Sequence, residues 1–540
     1  MSMRQLFLLF LSLIVSFSHA QKNFTEDLLL TPEKSNFIKT STYSEVMSFI
    51  DAMKTKSANL HVISMGKSKE GKDIPVVILA NPAIKTVEEA KAGGKLVVYI
   101  QGNIHAGEVE GKEAVMMLMR DILLGDKSYL LDNQIILFAP IYNTDSNDKM
   151  AKGLRLSQED SPLETGLREN SQGLDLNRDG IKMEAFETNG LFPNIINVWD
   201  PQLFVDLHTT NGTWHAWNLT WAPSYHSGGE KSTYDYTVNN MLKPITETVK
   251  KKCDLNFGPY GDYDVQQAWP LKNFYTYNHH PRYLVNQFGL RNRMAILSET
   301  FAHERFYQRI FSSFSFASEI LEHTNTHAKE IIEINKKAEE QTIQKFKNST
   351  GKEKKGVRFK MVPLEKINNF PTYDYVSYDK ADGSKGYYRT GNIVTYNDVD
   401  YYARFDAEVE STIPRGYVIP AAFTSVVENL KKHGIQVTTL TKSQSFSGEL
   451  FQIEKSEKAQ RKFEGHFMVR ATGKFTPSKK SFKKGDYLID LAQPLGNLAF
   501  YMLEPESDDG LVTWNFFDEY FEKNGVNNKK VDYPVFKYYN

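Results

Sequence analysis

Leu96-Val97-Val98-Tyr99-Ile100-Gln101 runs straight into Gly102-Asn103-Ile104-His105-Ala106-Gly107-Glu108. The run is continuous rather than alternating, which is how a strand covered on both faces reads. The chain then turns through two glycines into a helical pattern over 108–124. Runs at 74–79, 135–141, 203–207 and 294–298 read as further strands of the same kind, and 238–252 as a further helix. From about residue 30 to 302 such strands alternate with helices. That alternation predicts an α/β fold with a mixed, mostly buried β-sheet flanked by helices.

Three strand ends carry chemistry. His105 and Glu108 are three apart across the turn, so an imidazole nitrogen and a carboxylate oxygen can reach one ion. A lone His-x-x-Glu is common by chance, and His105 alone reads equally as a hydrogen-bonded loop histidine. At a second strand end, Phe204-Val205-Asp206-Leu207-His208 supplies another histidine. Two histidines and one carboxylate, with no thiolate to close the shell, form the donor set of catalytic zinc. Asp206 reads either as a group orienting a ligand or as a strand aspartate with a structural partner. At a third strand end, Met294-Ala295-Ile296-Leu297-Ser298-Glu299 presents a carboxylate suited to act as general base.

Between them lies Leu167-Arg168-Glu169-Asn170-Ser171-Gln172-Gly173-Leu174-Asp175-Leu176-Asn177-Arg178-Asp179. A guanidinium grips a carboxylate through two parallel hydrogen bonds, so Arg178 beside Asn177 suits a substrate's terminal carboxylate. Arg168 suits the oxyanion of a tetrahedral intermediate. A string of this kind also reads as a polar surface loop.

The set His105-x-x-Glu108, Arg168, Asn177-Arg178, His208 and Glu299 resembles, in this order, the zinc carboxypeptidases of the carboxypeptidase A type. The upstream Gly66-Lys67-Ser68-Lys69-Glu70-Gly71-Lys72-Asp73-Ile74 is similar to the segment before that family's first core strands, and agreement covers roughly 40–302. The resemblance implies one zinc ion on His105, Glu108 and His208, Glu299 as general base, and Arg168 at the scissile carbonyl. It also implies that Asn177 and Arg178 bind the free C-terminal carboxylate of a peptide substrate. The nine-residue step from Arg168 to Asn177 matches the branch with the shorter insert. The family's mobile tyrosine has three candidates here, Tyr275, Tyr277 and Tyr283. The usual specificity wall is replaced by Asn278-His279-His280-Pro281-Arg282-Tyr283, where His279, His280 and Arg282 either line the pocket or are buried and self-satisfied.

Outward from this core, 540 residues predict two or three domains. Residues 1–20 have a positive Arg4, an apolar core and small residues before Gln21, the layout of a cleaved secretory signal. Export to a periplasmic or extracellular location is therefore expected, with the catalytic domain over 21–302. Cys253 is the single cysteine, which excludes an intrachain disulfide and fits a bacterial envelope, while four Asn-x-Ser/Thr sites keep a eukaryotic origin open. Apolar residues recur at three- and four-residue steps from 303 to 347, predicting one long amphipathic helix or two abutting ones. The Lys-rich 352–355 reads as a solvated linker, closing a segment at 356. Residues 357–540 read as a β-rich accessory domain, with strands at 487–491 and 498–503 and a helix at 423–433. Within it, the stretch 503–511 and Trp514-Asn515-Phe516-Phe517-Asp518 are similar to the extra domain of large bacterial members.

A net charge of -1 without a dense basic tract argues against a nucleic-acid partner, and no later run is long enough to span a membrane. The reading is a zinc metallocarboxypeptidase. Its alternatives are a zinc amidase acting on peptidoglycan-type peptides or acylated amino acids, and an envelope binding protein with a vestigial site.

Overall fold

Eight strands build the central sheet of the computed structural model, which describes residues 24–158, 160–225 and 227–539. The expected signal at 1–20 lies outside the described residues. The strands are β1 (Leu60–Lys67), β2 (Asp73–Leu79), β3 (Leu96–Gly102), β4 (Gln134–Ala139), β5 (Leu203–Thr209), β6 (Leu219–Pro223), β7 (Phe257–Pro259) and β8 (Met294–Thr300). Their order is β1-β2-β4-β3-β5-β8-β6-β7. The central strands β4, β3, β5 and β8 run parallel, while β2 pairs antiparallel with β4, and β6 with β8.

Successive residues of these strands enter two different cores, as a sheet covered on both faces requires. Val98, Ile100 and Val205 join one core, Tyr99 and Phe204 the other. The first face is covered by α1 (Tyr43–Lys56), α2 (Glu110–Leu124) and α3 (Lys243–Cys253), through Val46, Val115 and Ile245. The second meets α4 (Leu284–Leu290) through Phe288. The amphipathic stretch after the sheet is two abutting helices, α5 (Phe306–Thr326) and α6 (Ala328–Lys347), which return Phe316 and Ile331 to the first core.

The C-terminal region is β-rich. It contains β9 (Lys354–Ile367), β10 (Phe370–Asp379), β11 (Lys385–Tyr396) and β12 (Val399–Thr412), then β13 (Gly416–Ile419), β14 (Gln444–Lys458) and β15 (Val469–Phe482). Strands β10 and β11 form a two-stranded hairpin. The short strand Asn273–Tyr275 pairs in parallel with β12, and Phe370 and Tyr401 enter the second core, so this region is packed on the sheet's second face. Two expectations are corrected. The stretch 352–355 is not a free linker: β9 begins at Lys354, and the Lys355 ammonium donates to Asn497. The expected strand at 498–503 belongs to a helix. Here α7 (Thr424–Lys432) precedes α8 (Gly496–Leu503), in which every residue is buried. A helix with no solvent face shows no 3.6-residue alternation, so its apolar run reads like a strand.

Candidate active site

The site forms where β3, β5 and β8 end side by side. Gly102 pairs with Leu207, and Glu299 lies in register with His208 on the neighbouring parallel strand. Ligand sites of open α/β sheets gather at such carboxyl ends. Helix α2 starts just past Glu108 and crosses β5 closely at Gly111, where a Cβ would lie 2.6 Å from the Leu207 Cβ. That approach carries Glu108 to His208.

The three predicted donors converge. His105 Nδ1 is 3.0 Å from Glu108 Oε1, and His208 Nδ1 is 2.9 Å from Glu108 Oε2. All three side chains are buried, and their ligand atoms lie within 4.8 Å of one another. Each histidine's other nitrogen faces a carboxylate: His105 Nε2 is 3.0 Å from Asp175 Oδ1, and His208 Nε2 is 3.0 Å from Asp206 Oδ2. Outer carboxylates of this kind fix imidazole tautomer and orientation for a metal. The N, N, O donor set and its outer shell fit a zinc ion. Asp206 is held by Gln101, whose Nε2 donates to Oδ1 at 3.1 Å.

Electrostatics match this arrangement. Burial alone would raise the Glu108 carboxyl, but His105 and Arg155 hold it well below the usual range. Burial would lower His208, yet Asp206 and Glu108 hold it well above an ordinary imidazole. Burial also opposes ionisation of Asp175, which His105, Arg178 and Arg168 nevertheless keep far below a normal carboxylate. Glu299 is pushed up to about 8, by burial first and then by Glu108, with His208 pulling the other way.

His105, Glu108, Arg168, Asn177, Arg178, His208 and Glu299 all line one cavity of about 510 Å³. Asp175 organises the predicted loop. Its Oδ2 accepts from Arg168 Nη2 at 2.8 Å and Nε at 3.1 Å, and its Oδ1 accepts from the Asn177 backbone N–H at 2.9 Å. Asn177 Oδ1 accepts the Leu284 N–H at 3.1 Å, which leaves its amide Nδ2 as donor. The Arg178 guanidinium lies over the Tyr283 ring at 4.5 Å. Of the three candidate tyrosines, Tyr277 and Tyr283 line the cavity, whereas Tyr275 stacks on Tyr402 at 4.6 Å.

His279, His280 and Arg282 do not line this cavity. His279 Nε2 is 3.1 Å from Asp508 Oδ2, and Arg282 Nη2 is 2.7 Å from Asp509 Oδ1. These contacts tie the loop to the acidic 503–511 stretch rather than to the substrate cavity. Two residues of the site had no assigned role from sequence. Asp175 had only its place two residues before Asn177 as a signal. Arg155 had none, yet it donates to Glu108 Oε1 at 2.9 Å and to the Thr209 carbonyl at 3.1 Å.

Residues 46–197 match the family model for zinc carboxypeptidases. Carboxypeptidase 2 of Trichophyton rubrum is 22% identical over 490 residues, 84% of this chain and 80% of that protein. Carboxypeptidase 2 of Trichophyton tonsurans is likewise 22% identical, covering 83% of this chain and 78% of its own. Among solved structures, a metallo-carboxypeptidase from Burkholderia cenocepacia is similar at 17% identity and a TM-score of 0.40, over 54% of this chain and 70% of that one. A putative carboxypeptidase from Burkholderia mallei is similar at 16% identity and the same TM-score, over 53% of this chain and 69% of that one. Residues 46–197 thus form a stretch similar to zinc carboxypeptidases, the curated relatives that match over most of the chain are carboxypeptidases, and a β-rich region follows behind.

Proposed function

We propose that the enzyme removes the C-terminal residue from peptides, using His105, Glu108 and His208 to hold one zinc ion. Bound there, zinc would polarise the scissile carbonyl and lower the pKa of a water from about 15.7 toward about 7. Glu299 would accept a proton from the attacking water as the water's oxygen adds to the carbonyl carbon. Its neighbour in register, His208, places the carboxylate beside the ligand set. Arg168 stabilises the oxyanion of the tetrahedral intermediate: Asp175 engages Nε and Nη2, while Nη1 lies 3.5 Å from Glu108 Oε1. As the C–N bond breaks, Glu299 passes its proton to the departing amine. The products are a shortened peptide carboxylate and a free amino acid. Arg178 and the Asn177 amide bind the substrate's terminal carboxylate.

The observation that carries this reading is the cavity itself, which gathers residues scattered from 105 to 299. Release of the last residue is compared for peptides with a free C-terminus and for their C-terminal amides, with and without a chelator. Zinc-dependent release confined to the free peptides is expected. Equal rates on both forms would leave Arg178 nothing to bind and would favour an amidase, while zinc-independent rates would sink the reading.

A further inference from the structure

A second set of metal-ligating side chains stands outside the catalytic cavity. His279, His280 and Asp508 bring their ligand atoms within 4.8 Å of one another, as His105, Glu108 and His208 do. The two histidines belong to the loop at 278–283, and the aspartate to the acidic stretch of the C-terminal region.

Asp508 is fixed on several sides. Its N–H donates to the Val357 carbonyl at 3.1 Å, its Oδ2 accepts the Phe359 N–H of β9 at 3.0 Å, and its Oδ1 accepts the Tyr501 hydroxyl of α8. The His279 ring is buried between the rings of Phe359 and Phe405, at 5.0 and 4.9 Å. Both imidazoles then face one carboxylate oxygen: Asp508 Oδ2 is 3.1 Å from His279 Nε2 and 3.9 Å from His280 Nε2.

The longer distance is the informative one. At 3.9 Å the His280 nitrogen is beyond hydrogen-bond reach of the oxygen it faces, so pairing between His279 and Asp508 does not account for its place. Ligand atoms bound tetrahedrally to zinc at about 2.0–2.1 Å stand about 3.3–3.4 Å apart, and the two observed separations bracket that spacing. The charge of the neighbouring Arg282 is matched by Asp509 at 2.7 Å.

We propose that His279, His280 and Asp508 hold a second divalent transition-metal ion, zinc by its two imidazoles and one carboxylate, which clamps the 278–283 loop to the C-terminal region. His280 and Asp508 are half-buried, so solvent can supply a fourth ligand. The clamped loop runs from beside Tyr277 to Tyr283, and both tyrosines line the catalytic cavity. The second ion thus steadies one wall of the cleft and takes no part in bond cleavage.

The test counts zinc per full-length chain by mass spectrometry after equilibrium dialysis against micromolar zinc. Wild type is expected to hold two ions and His280→Ala one. His280 is the residue to change, because Asp508 also carries hydrogen bonds of the fold. The double variant His105→Gln/His208→Gln, which removes the catalytic ligands, should keep one ion, and adding His280→Ala should remove it. Zinc should raise the Tm of the double variant but not of the triple one. One ion in wild type and none in the double variant would overturn the proposal and leave an ion pair only. A zinc count unchanged by His280→Ala would overturn it as well. A single ion lost with His280→Ala but kept in the double variant would support this site while removing the metal from the catalytic one.

Discussion

Asp175→Asn is the sharpest probe of how the site is held, because one carboxylate serves both a zinc-ligand candidate and Arg168, the arginine proposed to face the oxyanion. Oδ1 faces His105 Nε2 at 3.0 Å, and Oδ2 takes two hydrogen bonds from Arg168. The amide keeps the shape but loses the charge, and in one orientation turns N–H donors against the guanidinium. Losing the carboxylate behind a metal-bound histidine lowers metal affinity by about 10- to 100-fold. Charge-assisted hydrogen bonds contribute about 1.5–3 kcal/mol. The Arg168 side chain is 36% exposed, so screening places its share at the low end of that range. At about 1.36 kcal/mol per decade, that is roughly tenfold in rate. Zinc affinity is measured by competition with a chelator, and kcat/KM at saturating zinc. Both should fall in Asp175→Asn. Asp206 touches His208 and Gln101, so Asp206→Asn should lower zinc affinity while costing much less in kcat/KM once zinc is saturating. If Asp175→Asn stays within twofold of wild type on both measurements, the linkage argued here is wrong. If it instead behaves as Asp206→Asn does, Asp175 does not position Arg168.

Glu299→Gln should retain stoichiometric zinc and lose about 10²- to 10⁴-fold in kcat, the usual contribution of a general base. Glu299 is pushed up to about 8 by burial and Glu108, and a bound dication would pull it lower again. The base works when ionised, so kcat/KM should climb with pH through that acid limb. A pH profile unchanged in shape by Glu299→Gln would remove Glu299 from the role. Arg178→Ala should raise KM for free-C-terminal peptides and erase their advantage over amides, and a preserved preference would point to another anchor. Gly111→Ala places a Cβ 2.6 Å from the Leu207 Cβ, and overpacking of this kind costs about 1–3 kcal/mol. Thermal unfolding should show a lowered Tm together with weakened zinc binding, and an unchanged Tm would show that α2 can shift freely.

The central sheet is legible in the sequence because its strands are buried on both faces and read as unbroken apolar runs, as at Leu96–Gly102 and Met294–Thr300. The same property misleads at Gly496–Leu503, where total burial erases the helical period. His105, Glu108, His208 and Glu299 are legible because each ends or follows such a run. Asp175 is not, since its partner His105 is 70 residues away and nothing local marks the pairing. Nor is Arg155, which reaches Glu108 across 47 residues. The choice among the tyrosines, and the withdrawal of His279 and Arg282 into contacts with Asp508 and Asp509, depend on which loops the C-terminal region packs against.

By itself the sequence determined the kinds of groups present and their placement at strand ends, because burial pattern, turn residues and donor chemistry are local properties. Only the tertiary structure decided which of those groups share a cavity. Parallel register sets His208 beside Glu299, the close approach at Gly111 brings in Glu108, and a hairpin more than 150 residues downstream of His208 hydrogen-bonds to the loop that follows that histidine. Those distances are set by pairing and packing between segments remote in the chain, and no local pattern encodes them.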